Sequence, residues 1–131
     1  MREAAQWIHP DDIRRQVRDR IARCRPGRDV GFLAYFQPYS NTDAAIERLA
    51  ELYEAALAVE GVVGLAIGTR PDCLSEDVVA LLQALARRTY VQLELGLQSA
   101  SDATLQRIHR GHGVGEFRDA MALGRGRGFD L

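Results

Sequence analysis

What most constrains this chain is an alternation. Three short runs rich in apolar, β-branched and aromatic residues, GFLAYFQ at 31–37, VVGLAIG at 62–68 and YVQLELGLQ at 90–98, are each followed by a stretch with helical periodicity. Runs of that composition read as strands, and strands separated by ten or more helical residues cannot pair through tight hairpins. They require right-handed βαβ crossovers, hence a parallel sheet and an α/β fold. A chain of 131 residues makes one such domain, residues 1–131.

The helical stretches carry their own start and stop signals. Pro10 suits a first turn, and Ile13, Val17 and Ile21 recur at the spacing of an amphipathic helix over 10–24, which Arg25-Pro26-Gly27 then stops. His9 reads as a capping or solvent residue and Trp7 as a packing residue. Asn41 and Thr42 offer caps to a second helix reaching about residue 59, with Ile46, Leu49, Tyr53 and Ala56 as its stripe. Ser75 with Glu76 and Asp77 opens a third helix, whose apolar face is Val78, Leu81, Leu82 and Leu85. Ser101 and Asp102 open a fourth helical region, interrupted by glycines at 111, 113 and 115 and resumed over 116–123. The Gly124–Gly128 stretch closes a helix instead of following a strand, so it reads as a terminus and turn and not as a dinucleotide loop. Residues 128–131 have the character of the start of another strand.

In the second run the alternation puts Val63, Leu65 and Ile67 on one side and Gly64, Ala66 and Gly68 on the other. A strand sandwiched between two helical layers presents bulky groups both ways, so the bare face favours part of a barrel over a doubly wound sheet.

Composition narrows the function classes. Seventeen basic and eighteen acidic side chains give a net charge of -1, which provides no general attraction to nucleic acid or anionic lipid. No run approaches the roughly 20 apolar residues of a membrane span, and the start lacks the pattern of a secretory signal. A cytoplasmic protein is expected. The two cysteines, Cys24 and Cys73, lie far apart and form no CxxC or CxxxCxxC, which excludes a self-contained cluster site; both are expected as reduced thiols.

Ligand sites of parallel α/β folds lie at the carboxyl ends of the strands. Here those ends are polar: Gln37 to Thr42, then Thr69-Arg70-Pro71-Asp72, then Glu94, Gly96 and Gln98. Alternation puts Glu94 and Gln98 on one face of the third strand and Leu93, Leu95 and Leu97 on the other. A carboxylate and an amide beside the bare face suit a ligand carrying hydroxyl and amine groups. The competing reading is that Glu94 only pairs with an arginine such as Arg70, since a buried charge needs a partner. His109 and His112 have no carboxylate beside them and make a weak metal signal, so they are expected at the surface or behind the site.

The strings AYFQPYSNT at 34–42, GTRPDC at 68–73, ELGLQS at 94–99 and HRGH at 109–112 resemble, in order and spacing, those of the YhcC-like radical S-adenosylmethionine (SAM) proteins, which are related to the catalytic subunit of the elongator complex. The resemblance runs from about residue 30 to the carboxyl terminus. It implies a partial TIM-like (β/α)6 barrel, a [4Fe–4S] cluster held by a CxxxCxxC loop, and reductive cleavage of SAM to a 5′-deoxyadenosyl radical. Carried over residue by residue, it implies that Glu94 and Gln98 face SAM and that Arg110 lies near its carboxylate or ribose. It further implies that Thr69 and Arg70 stand at a strand end of the site, and that Gln37 and Asn41 lie where the family's loop passes the methionyl part. Ser40 and His109 stand where many relatives have threonine and asparagine, and Gly68 where the elongator relatives have glutamate, a departure that bears on one ribose contact.

The cluster loop itself is absent from these residues, so the resemblance implies an incomplete SAM site and a chain that does not cleave SAM alone. A non-catalytic interaction or scaffold module is the alternative, and a cluster-independent enzyme or phosphate binder using Arg70 and Arg110 a further one. Sheet edges lacking barrel neighbours predict a homo-oligomer.

Overall fold

A computed structural model describes residues 8–24, 30–37 and 41–131. Trp7, Arg25-Pro26-Gly27 and Pro38-Tyr39-Ser40, expected as a packing residue, a helix stop and part of a polar strand end, lie outside the described residues. The elements run α1 (Pro10–Arg23), β1 (Phe32–Phe36), α2 (Ile46–Leu57), β2 (Val62–Thr69), a 3₁₀ turn (Pro71–Cys73), α3 (Glu76–Ala86), β3 (Tyr90–Leu95), α4 (Asp102–Arg107) and α5 (Val114–Gly124).

The three strands form one parallel sheet in the order β1-β2-β3. Asp130 adds an isolated parallel bridge beside β3, with Leu93 N donating to the Asp130 carbonyl at 2.8 Å and Asp130 N to the Val91 carbonyl at 2.9 Å. Each strand therefore lies beside the next in sequence with no reversal of order, which is how a barrel winds and not how a doubly wound sheet does.

The core sits on one side of the sheet. Ala34, Leu65, Ile67, Val91 and Leu93 meet Ile13 of α1, Leu49, Leu52, Tyr53, Ala55 and Ala56 of α2, and Val78, Leu82 and Leu85 of α3. Of the expected stripes, Leu49, Tyr53 and Ala56 of α2 and Val78, Leu82 and Leu85 of α3 are buried, while Ile46 and Leu81 are half-buried at the edge, because only those faces reach the apolar side of the strands. Phe36 stands edge-on to Tyr53, with ring centroids 5.2 Å apart. The opposite face leaves Leu33, Tyr35 and Tyr90 exposed.

Caps form where hydroxyls precede helices. The Ser75 hydroxyl accepts from Val78 N at 3.3 Å, and that of Ser101 from Thr104 N at 3.4 Å. His9 caps α1 through its Nδ1, which accepts from Asp11 N at 3.2 Å.

Three expectations need correction. Asn41 and Thr42 do not cap α2, which begins at Ile46 behind Ala45 with no side-chain cap, because both polar groups are drawn to strand ends instead. Val63 does not join Leu65 and Ile67 in the core. The β1–β2 register shifts between Phe32 and Leu33, so Val63 is the extra residue of a bulge and stays exposed. The third strand ends at Leu95 instead of running to residue 98, and Gln98 takes a positive φ of 74°.

Candidate functional site

The loops after the three strands gather at the carboxyl edge of the sheet. They enclose a pocket of about 580 Å³ lined by Gln37 from the end of β1, Gly68, Thr69 and Arg70 from the end of β2, Glu94, Gly96 and Gln98 from the end of β3, and Tyr35 and Arg110. Six of the seven residues that the sequence singles out, Gln37, Thr69, Arg70, Glu94, Gln98 and Arg110, line this one space.

The seventh, Asn41, stands apart from it. Its Nδ2 donates to the Phe36 carbonyl at 2.7 Å and to the Gly68 carbonyl at 2.9 Å, tying together the ends of β1 and β2. Thr69 is likewise turned to the protein. Alternation places it with Leu65 and Ile67 on the helix side, where it is buried and its hydroxyl lies 2.7 Å from that of Thr42. Thr42 in turn donates to the Cys73 carbonyl at 2.7 Å, which fixes the 3₁₀ turn.

Glu94 does not pair with Arg70. Its Oε2 accepts from the Tyr35 hydroxyl at 2.5 Å and its Oε1 from Gln92 Nε2 at 3.1 Å. This belongs to a polar row across the open face, since the Tyr90 hydroxyl donates to Asp130 Oδ2 at 2.7 Å. The hydrogen bonds to carboxylates raise the pKa of both phenols, Tyr35 through Glu94 and Tyr90 through Asp130, because each phenolate would face a negative charge. Tyr35 is the residue that sequence reasoning missed. The register brings it into view: position 35 pairs with Ala66, on the same face as Glu94, a relation that neither segment carries on its own.

Arg70 binds Asp72 instead, with Nε to Oδ1 at 2.8 Å and Nη2 to Oδ2 at 2.6 Å. Burial works to raise the Asp72 carboxyl, but the hydrogen bonds and charge of Arg70 outweigh it and hold the pKa below its usual value. Gln98 reaches the pocket through its turn, not through strand alternation. The position of a β-carbon on Gly96 lies 3.1 Å from the Gln98 Nε2 and 3.0 Å from Arg110 Nη2, so the bare glycine is what admits both groups. Arg110 Nη2 donates to the Gly96 carbonyl at 2.8 Å, while its Nε is buried with no hydrogen-bond partner among the described residues. His109 is exposed as expected. His112 is not at the surface: it is buried, with Nε2 unpartnered among the described residues.

The family model of the radical SAM superfamily matches residues 1–131, and the chain belongs to that superfamily. It is 45% identical over 101 residues to the protein YhcC of Escherichia coli (strain K12), an alignment covering 76% of this chain and 33% of that protein. YtqA of Bacillus subtilis (strain 168) is 48% identical over 85 residues, 65% of this chain and 26% of its own length. MJ0486 of Methanocaldococcus jannaschii is 38% identical over 91 residues, 69% of this chain and 28% of its own. The chain thus spans about a quarter to a third of the curated relatives it matches. No solved structure is significantly similar to it.

The superfamily implies SAM and a [4Fe–4S] cluster, and the residues here fit the two differently. Among the described residues no group of three histidine, cysteine, aspartate or glutamate side chains stands together, Cys24 is exposed, and Cys73 is half-buried on the 3₁₀ turn. These residues do not fit the cluster. The chemistry of the pocket at the strand ends fits SAM: a carboxylate and two amides for hydroxyl and amine groups, the Arg110 guanidinium at the wall, and a glycine floor for close approach. No helix among the described residues is long and apolar enough to cross a membrane.

Proposed function

We propose that this chain supplies part of the SAM-binding surface of a radical SAM enzyme of the YhcC-like kind, at the carboxyl ends of β1, β2 and β3. The observation that supports this most is the convergence of Gln37, Arg70, Glu94, Gln98 and Arg110, drawn from β3 and the loops after β1, β2, β3 and α4, on one pocket. In this family bound SAM supplies the carbon–sulfur bond that is cleaved reductively. The chain's own part is to bind and orient. Glu94 keeps its carboxylate at a fixed height above the sheet through Tyr35 and Gln92, where it accepts hydrogen bonds from ligand hydroxyl or amine groups. Gln37 and Gln98 provide amides that both donate and accept, and Arg110 places a positive group at the pocket wall. A phosphate site is less favoured, because Arg70 is already neutralised by Asp72 and Arg110 is bonded to a carbonyl.

Titration calorimetry with S-adenosylhomocysteine tests the reading. The expected affinity is weak, in the millimolar range, since a few hydrogen bonds of about 0.5–1.5 kcal/mol each barely exceed the entropy lost on binding. Glu94→Ala and Gln98→Ala should each weaken it further, while Leu93→Val, in the helix-side core, changes stability more than binding. Equal affinity in the wild-type chain and both polar-site variants would remove the case for a SAM surface here.

A further inference from the structure

The sequence offers Arg70 as a ligand contact, yet its guanidinium is engaged by the protein on two sides. One edge forms the bidentate pair with Asp72, which fixes the plane of the group; the two side chains are 29% and 15% exposed. The same Nη2 lies against the backbone of Gly111, where a β-carbon would stand 2.7 Å from it. Gly111 also has a φ of +81°, so the turn at this position suits glycine on both grounds.

What this contact controls is the residue next to it. Arg110 stands between two residues in left-handed conformations, His109 at φ 52° and Gly111 at φ 81°. A backbone of this kind persists only where its surroundings over-determine it. On one side the support is the Arg110 N–H, which donates to the Leu105 carbonyl at 2.9 Å. On the other it is the Arg70–Asp72 pair, whose 3₁₀ turn packs against α5 and is pinned from behind by Thr42. His112, the next residue along, is buried within the electrostatic reach of Asp72.

We propose that Arg70 is a positioning residue that acts through Gly111: clamped by Asp72, it shapes the 109–112 turn and so delivers the Arg110 guanidinium to the Gly96 carbonyl at the pocket wall. Its effect on ligand binding rests on the SAM reading above, whereas the clamp itself does not.

Two measurements on the full chain test this. Hydrogen exchange without ligand should show the Gly111 and His112 amides exchanging faster in Arg70→Ala, with the amides of α2 unchanged. Asp72→Asn, a milder change, should show the same pattern, and unchanged exchange in both variants would overturn the clamp. Calorimetry with S-adenosylhomocysteine then completes a double-mutant cycle. Arg70→Ala should lose roughly tenfold in affinity, as expected for losing a hydrogen bond to a charged group. Arg70→Lys, which keeps the charge without the fork, should not restore it. The double variant with Arg110→Ala should bind no more weakly than Arg110→Ala alone. Additive losses would mean that Arg70 touches the ligand directly and would sink the positioning role, as would a loss in Arg70→Ala with none in Arg110→Ala. Failure of the wild-type chain to bind overturns the SAM reading alone, because the exchange measurement needs no ligand.

Discussion

The Tyr35 hydroxyl reaches the Glu94 carboxylate at 2.5 Å although β2 lies between their strands, with Ala66 opposite Tyr35 and Gly68 opposite Glu94. Small residues on the middle strand leave the space in which the two side chains meet. The pair explains why β2 is bare on this face, and it yields the first prediction. The Glu94 hydrogen bond raises the Tyr35 pKa above its usual value of about 10. Glu94→Gln should therefore bring the Tyr35 titration back down, as read by phenolate absorbance in a Tyr90→Phe background that removes the other phenol bonded to a carboxylate, Tyr53 being raised by burial instead. A raised folded-state pKa contributes stability that is complete below the unfolded value and is lost as pH rises through the folded one. Tyr35→Phe should accordingly lower stability slightly at neutral pH, with the difference from the wild-type chain shrinking as pH rises through the raised Tyr35 pKa in urea unfolding.

The fold was legible because its signals are local. Apolar periodicity marked Leu49, Tyr53, Leu82 and Leu85, and hydroxyl caps marked Ser75 and Ser101. The misreadings arose where a long-range partner outbids a local one. Thr42 is a good cap by sequence, but the Thr69 hydroxyl and Cys73 carbonyl, 27 and 31 residues away, claim it. Gln98 reached the expected pocket by a different route, since strand alternation stops at Leu95 and a left-handed turn takes over. Arg70 does line the pocket, but its partner is Asp72, two residues on, and not Glu94. Tyr35 escaped notice because its role depends on which strand lies between it and Glu94, and strand order is not written in either segment.

Core energetics give a second prediction. Leu82 is fully buried between α3 and the sheet, and removing its side chain opens a cavity that the packed neighbours fill only in part. Leu82→Ala should cost about 2–5 kcal/mol in denaturant unfolding. Leu33→Ala, on the uncovered face, should cost far less. Equal losses would mean that the sheet's open face is covered in solution.

Acid stability follows from Asp72. Its pKa is held below the unfolded carboxylate value of about 3.9, so the pair with Arg70 contributes stability that is present above that value and is lost as pH falls through the folded one. Asp72→Asn should lower stability at neutral pH, with the difference from the wild-type chain shrinking as pH falls below the unfolded carboxylate value. Parallel acid limbs in the two proteins would contradict this.

The last prediction concerns association. Among the described residues β1 pairs only with β2, so its other edge presents unpaired backbone groups. Beside that edge Val30 and Leu33 are exposed by 51% and 43%, and an apolar groove of about 810 Å³ runs between α1 and β1. Unblocked edges of this kind pair with further strands, and natural proteins blunt them with lysine or proline, neither of which occurs within Phe32–Phe36. The isolated chain should therefore form a dimer or higher oligomer at high concentration, measured by sedimentation. Leu33→Lys should shift it toward monomer without lowering its unfolding midpoint, because position 33 is not part of the helix-side core. A wild-type chain that stays a well-folded monomer over the whole concentration range would rule this association out. A Leu33→Lys variant that associates as strongly as the wild type would move the interface away from the β1 edge.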